Sequence, residues 1–85
     1  MWRIVAEHVD NGNEAALLKS RNLDQLAMAL VREAPKLRAW GWEGFTLEDD
    51  TLGIFTETLE EHLRMLMVQK FITFETWKTL KGLCS

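Results

Sequence analysis

The sequence predicts a small α+β domain: an N-terminal β-hairpin, one capped helix, a second short hairpin and two C-terminal helices. Three observations carry that assignment. An Asn-Gly pair at Asn11-Gly12 separates two strand-length segments, a strongly periodic apolar stripe follows Asn22, and two N-capping signals stand at Thr58 and Thr73. Eighty-five residues fall at the small end of the domain range, where folding buries about 60–65 % of the surface of the extended chain. Thirteen Leu, four Trp, four Phe, four Met, four Val and three Ile supply one core without help from a metal or a disulfide. Residues 1–85 are therefore read as a single domain, with no repeat and no linker.

The first hairpin rests on Asp10-Asn11-Gly12-Asn13, because Asn-Gly accepts the positive φ angles of a two-residue type I′ turn. Trp2 to Val9 alternates, with Trp2, Ile4 and Ala6 on one face and Arg3, Val5 and Glu7 on the other. Its partner Glu14-Ala15-Ala16-Leu17-Leu18-Lys19 is made of helix formers. It is assigned to strand because so short a helix is marginal while hairpin pairing sets the register locally.

Asn22 opens the first helix as N-cap, with Gln25 completing a capping box and Asp24 favouring the positive end of the dipole. Leu23, Leu26, Ala27, Leu30, Val31 and Ala34 form its buried stripe. Pro35 is expected to end it, since Pro disfavours helical backbone in the residue before it, giving a helix over residues 23 to 34. Residues 40 to 47 and 51 to 56 are assigned to strands around a turn at Glu48-Asp49-Asp50. The competing assignment is one long helix capped at Thr46, with Leu52, Phe55, Leu59, Leu63 and Leu66 in one seam; Gly53 would cost it about 1 kcal/mol relative to Ala. Thr58 with Glu61 then caps a helix to about Gln69 through Leu59, Leu63, Leu66 and Met67. Thr73 caps the last, in which Phe74, Trp77 and Leu80 face inward and Lys78 and Lys81 precede Gly82.

Charge is distributed unevenly. Residues 43–61 hold seven acids and no base, whereas residues 1–42 hold six bases against five acids and residues 62–85 four against one. An acidic block beside the aromatic run Trp40-Gly41-Trp42-Glu43-Gly44-Phe45 points to a surface that meets a basic patch on another protein. The expected partner-binding residues are Trp40, Trp42 and Phe45 as anchors, with Glu43, Glu48, Asp49, Asp50 and Glu57 steering.

Other chemistry finds less support. His62 neighbours Glu60 and Glu61, but a helical metal site needs ligands three or four positions away, and those are Thr58, Leu59, Met65 and Leu66. Aligned on Asp49, a calcium-binding loop would place Ile54 where Gly is needed. His8 and His62 stand in no nucleophile motif with Ser or Cys, and no glycine-rich phosphate loop occurs. The chain is read as not an enzyme and without a cofactor. The C-terminal helices have helix-turn-helix proportions, which makes nucleic-acid binding the alternative reading, disfavoured because Lys78 and Lys81 beside Glu75 are few contacts for phosphate.

Residues 70–77, Lys70-Phe71-Ile72-Thr73-Phe74-Glu75-Thr76-Trp77, resemble the short C-terminal helical modules with an Ile-Thr-x-Glu-x-aromatic turn found in many bacterial proteins. The likeness covers under a fifth of the chain, lacks the Gly usual at that turn and implies no function. By type, small acidic single-domain proteins without catalytic motifs include inhibitors and adaptors from phages and mobile elements. One Cys, Cys84, fits a reducing compartment, and no segment approaches the roughly 18 apolar residues of a membrane span. The expectation is a cytoplasmic protein, with Met65 and Met67 marking a face on which a homodimer could form.

Overall fold

A computed structural model describes residues 1–49 and 59–84. The elements are β1 (Trp2–His8), β2 (Glu14–Ser20), α1 (Leu23–Ala39), β3 (Trp42–Asp49), α2 (Leu59–Val68) and α3 (Phe74–Leu83). The three strands make one antiparallel sheet in the order β2-β1-β3. This is the α+β class that the sequence predicts. A strand forms where one was expected at 40 to 47, but β3 starts two residues later and runs through Glu48 and Asp49, which pair with Arg3 and Trp2 rather than making the expected turn. A helix capped at Thr46 is excluded, since Thr46 pairs with Val5 across the sheet. The strand expected at 51–56 and the cap expected at Thr58 lie outside the described residues.

The first hairpin forms, but not through a two-residue turn. His8 N–H donates to Asn13 O at 2.9 Å and Gly12 N–H to His8 O at 2.8 Å, which leaves Val9–Gly12 as a four-residue loop. Gly12 alone in that loop has positive φ, 69°, whereas a type I′ turn needs positive φ at both central residues. Strand β2 is built from helix formers, yet it holds its place by pairing with β1 along its whole length. Leu17 is the extra residue of a bulge in that pairing, between the pairs Val5–Ala16 and Ile4–Leu18. Bulging puts consecutive residues on one side, and both Leu17 and Leu18 pack against the core.

A second bulge sits in β3. Val5 pairs with Thr46 and Glu7 with Glu43, so Gly44 and Phe45 together oppose Ala6. Gly44 has φ 63°, the left-handed conformation of a glycine bulge. The inserted residue resets the alternation. Phe45, Leu47 and, beyond the bulge, Trp42 all pack with the core formed by Ile4, Ala6 and the helices.

Helix α1 lies across this face. Asn22 caps it as expected, its side chain accepting from Asp24 N–H at 2.9 Å and Gln25 N–H at 3.2 Å. Pro35 does not end it. The helix runs on to Ala39, because Pro35 and Val31, whose carbonyl the missing N–H would have met, both lie on the exposed side, so the lost hydrogen bond falls outside the core. Leu37 anchors the added turn in the core, and Lys36 and Arg38 suit its negative end. Val31, expected in the stripe, is 55 % exposed for the same reason.

Helix α2 ends in a Schellman motif, with Phe71 N–H donating to Leu66 O and Lys70 N–H to Met67 O, and with Lys70 at φ 65°. Thr73 caps α3 and accepts from Thr76 N–H at 3.1 Å. The inward face of α3 differs from expectation. Thr76 is buried and Phe74 is exposed, because Thr76 Oγ1 and Thr73 N–H both donate to Asp24 Oδ1 of α1 and so fix the rotation of α3. Leu80 remains inward, Trp77 packs against the core, and Gly82 lies inside the helix rather than after it.

Candidate functional site

The expected acidic and aromatic surface is only partly assembled. Trp40 is not in a strand. It is the C-cap of α1, its N–H shared between Lys36 O and Leu37 O at 3.1 Å each. Gly41 follows with φ 97°, and a Cβ there would lie 2.9 Å from His8 Nε2, so the chain can turn out of the helix at this point only without a side chain.

His8 ties this corner together. Its Nδ1 accepts from Asp10 N–H at 3.2 Å, which places the proton of the neutral ring on Nε2, and Nε2 then donates to Trp40 O at 2.9 Å. The imidazole also meets Trp42 edge-on, centroids 4.9 Å apart at 90°, and Val9 N–H donates to Gly41 O at 2.8 Å. The Trp40 backbone is thus held from both sides while the residue as a whole is 61 % exposed. One face of that indole carries Lys36 Nζ, 5.1 Å from the ring centroid.

Phe45, expected as an anchor, is buried in the core rather than exposed. It is 3 % exposed, set between Ala6 and the helices, with the Arg38 guanidinium 5.4 Å above its ring. Trp42 is half-buried for the same reason, since the Gly44 bulge swings it to the helical side. Of the acids, Glu43 and Glu48 are exposed on β3, Glu48 lying 3.4 Å from Arg3 Nη2. Asp49 is withdrawn, its carboxylate 6 % exposed and 3.5 Å from the Met1 amino nitrogen. Asp50 and Glu57 lie outside the described residues. Glu60 and Glu61 are on α2, and Glu60 approaches Lys81 Nζ at 3.8 Å.

The corner also contains residues that sequence reasoning missed. Arg38 and Glu43 line one cleft of about 520 Å³ together with Val9, Trp42, Phe45 and Leu83. Arg38 was hidden by the expectation that the helix stops before it. Lys81, one of two lysines available for phosphate, is engaged by Glu60 and lies 4.9 Å from the Trp77 ring centroid. Met65 is exposed and Met67 half-buried, while Val68, Phe71 and Phe74 extend the apolar surface around the α2–α3 turn. Among the described residues no group of three or more His, Cys, Asp and Glu is placed to hold a metal ion, and no helix is long and apolar enough to cross a membrane. Burial raises the Cys84 thiol from 9.0 to about 11, which keeps it in the un-nucleophilic form near neutrality. Comparison with known proteins returns no matching family model, no similar curated protein and no similar solved structure.

Proposed function

We propose that this protein is a non-catalytic protein-binding module, of the kind that serves as a small inhibitor or adaptor, and that it engages a basic surface of its partner. The observation that carries the reading is Trp40: a large indole exposed to solvent on a backbone fixed by His8 and the end of α1. An anchor already held in place loses little conformational entropy on binding, and Trp is the residue most enriched among binding hot spots. Glu43 and Glu48, exposed on the following strand, supply the negative field that raises the encounter rate.

The test begins with affinity capture from the native host and mass spectrometry, followed by kinetics on the captured partner. Trp40→Ala is expected to weaken binding by about 2 kcal/mol or more, roughly 30-fold in Kd, with stability unchanged within about 0.5 kcal/mol because the indole packs little. Added salt, or Glu43→Gln with Glu48→Gln, is expected to slow association and leave dissociation nearly constant. A Kd indifferent to Trp40→Ala together with salt-independent association would remove the reading.

A further inference from the structure

We infer that the cleft between the C-terminal ends of α1 and α3 and the start of β3 receives one acidic side chain of a partner segment, flanked by apolar residues. This rests on the protein-binding reading and adds a second, chemically distinct contact beside Trp40. The cleft is about 520 Å³, within the range of roughly 300–1,000 Å³ that encloses a small ligand. It suits two or three residues of an extended segment.

Its walls select the occupant. Arg38 is the cation of the cleft, and among the described residues no carboxylate lies within ion-pair distance of it. Its guanidinium carbon lies 5.4 Å from the Phe45 ring centroid, a cation–π contact that leaves N–H donors for a carboxylate, which Arg can bind through two oxygens at once. Val9, Trp42 and Leu83 provide apolar wall for the flanking side chains. Glu43 lines the same cleft without pairing to Arg38. It repels a second carboxylate and accepts from a guest N–H, so the cleft favours a single acid on a peptide backbone over a polyanion. The partner is therefore not uniformly basic. It carries an acidic residue, flanked by apolar ones, within reach of the basic surface that meets Glu43 and Glu48.

The test is an NMR titration of the ¹⁵N-labelled full chain with two blocked tripeptides, acetyl-Leu-Glu-Leu-amide and acetyl-Leu-Gln-Leu-amide. The acidic peptide is expected to give saturable shifts at the amides of Gly44 and Gly82 and the indole N–H of Trp42, with a Kd in the millimolar range typical of one exposed charge contact. The Gln peptide is expected to bind at least about fivefold more weakly, and Arg38→Met, which keeps the stem over Phe45, to erase the difference between the two. Equal binding of both peptides, shifts mapping outside the cleft, or no shift at about 10 mM peptide would overturn the assignment. Failure here is separable from failure of the wider reading. A captured partner sensitive to Trp40→Ala alongside a silent titration removes only the cleft, and selective peptide binding without such a partner removes only the Trp40 reading.

Discussion

At single residues, two left-handed positions carry opposite amounts of strain. Gly41, at φ 97°, faces His8 so closely that a methyl group would displace the ring holding Trp40. Lys70 adopts φ 65° with a full side chain, at the C′ position of a Schellman motif where glycine is usual. Left-handed backbone costs an L-residue about 1–2 kcal/mol, partly offset here by the lower entropy of an unfolded Lys. Lys70→Gly is accordingly expected to raise stability by about 0.5–1 kcal/mol, and Gly41→Ala to lower it by about 1–3 kcal/mol, both read from urea unfolding. Gly41→Ala should in addition lose the His8–Trp42 contact, visible as a change in the Trp42 indole resonance. The missing Gly at residue 70 was visible in the sequence. Its strain was not, because a handedness of backbone depends on which carbonyl the turn must satisfy.

Between elements, the decisive tie is Asp24. It sits in the first turn of α1 and accepts from Thr73 N–H, Thr73 Oγ1 and Thr76 Oγ1, so one carboxylate serves the positive ends of two helices. The hydrogen bond from Thr76, aided by those from Thr73 and opposed by desolvation, holds the carboxyl below its ordinary value of 3.8. The folded group ionises at lower pH than the unfolded one, so this stabilisation is complete above the ordinary value and is lost as pH falls through the folded one. Wild type is expected to lose more stability than Asp24→Asn between about pH 6 and about pH 3 in urea titrations. At neutral pH, Asp24→Ala should cost about 1–3 kcal/mol by leaving the Thr73 and Thr76 donors without their acceptor. Equal pH profiles for wild type and Asp24→Asn would show that the tie contributes nothing. Capping was legible in advance at Asn22 and Thr73, where local chain chemistry suffices. The rotation of α3 was not, since Phe74, Trp77 and Leu80 make an equally good stripe until a distant carboxylate claims Thr76.

Across the whole molecule, what could be read early and what could not divide along the same line. The class, the strand at Glu14–Ser20 and the starts of α1 and α3 after Asn22 and Thr73 followed from local pattern and pairing. The site did not, because its geometry depends on where β3 docks. Pairing with β1 brought Phe45 under Arg38 and left Trp40 outside. Among the described residues the acidic block, continuous in sequence, divides between a strand and a helix, with Glu48 and Glu60 already near Arg3 and Lys81. On the reading proposed above its field steers the encounter, while specificity belongs to the corner that joins α1, β1 and β3. That same docking sets Glu7 opposite both Glu14 and Glu43, a row of carboxylates across all three strands that local pairing alone would disfavour. Gly44 stands at the centre of this arrangement as a phase shifter for the sheet. Upstream of it β3 is out of step with the strand downstream by one residue, which is what keeps Trp42 on the side of Phe45 although three positions separate them. Nothing lies within 4 Å of a Cβ at Gly44, and Asn, which tolerates left-handed backbone, should cost under about 1 kcal/mol. Removing the residue should restore one-to-one pairing with Glu43 still opposite Glu7 and Trp42 still opposite His8, so Trp42 stays on the core side and only the local bend of the bulge is lost. Both variants should therefore keep the aromatic near-ultraviolet circular dichroism of the wild type, and a lost signal in the deletion would show that Trp42 had changed sides.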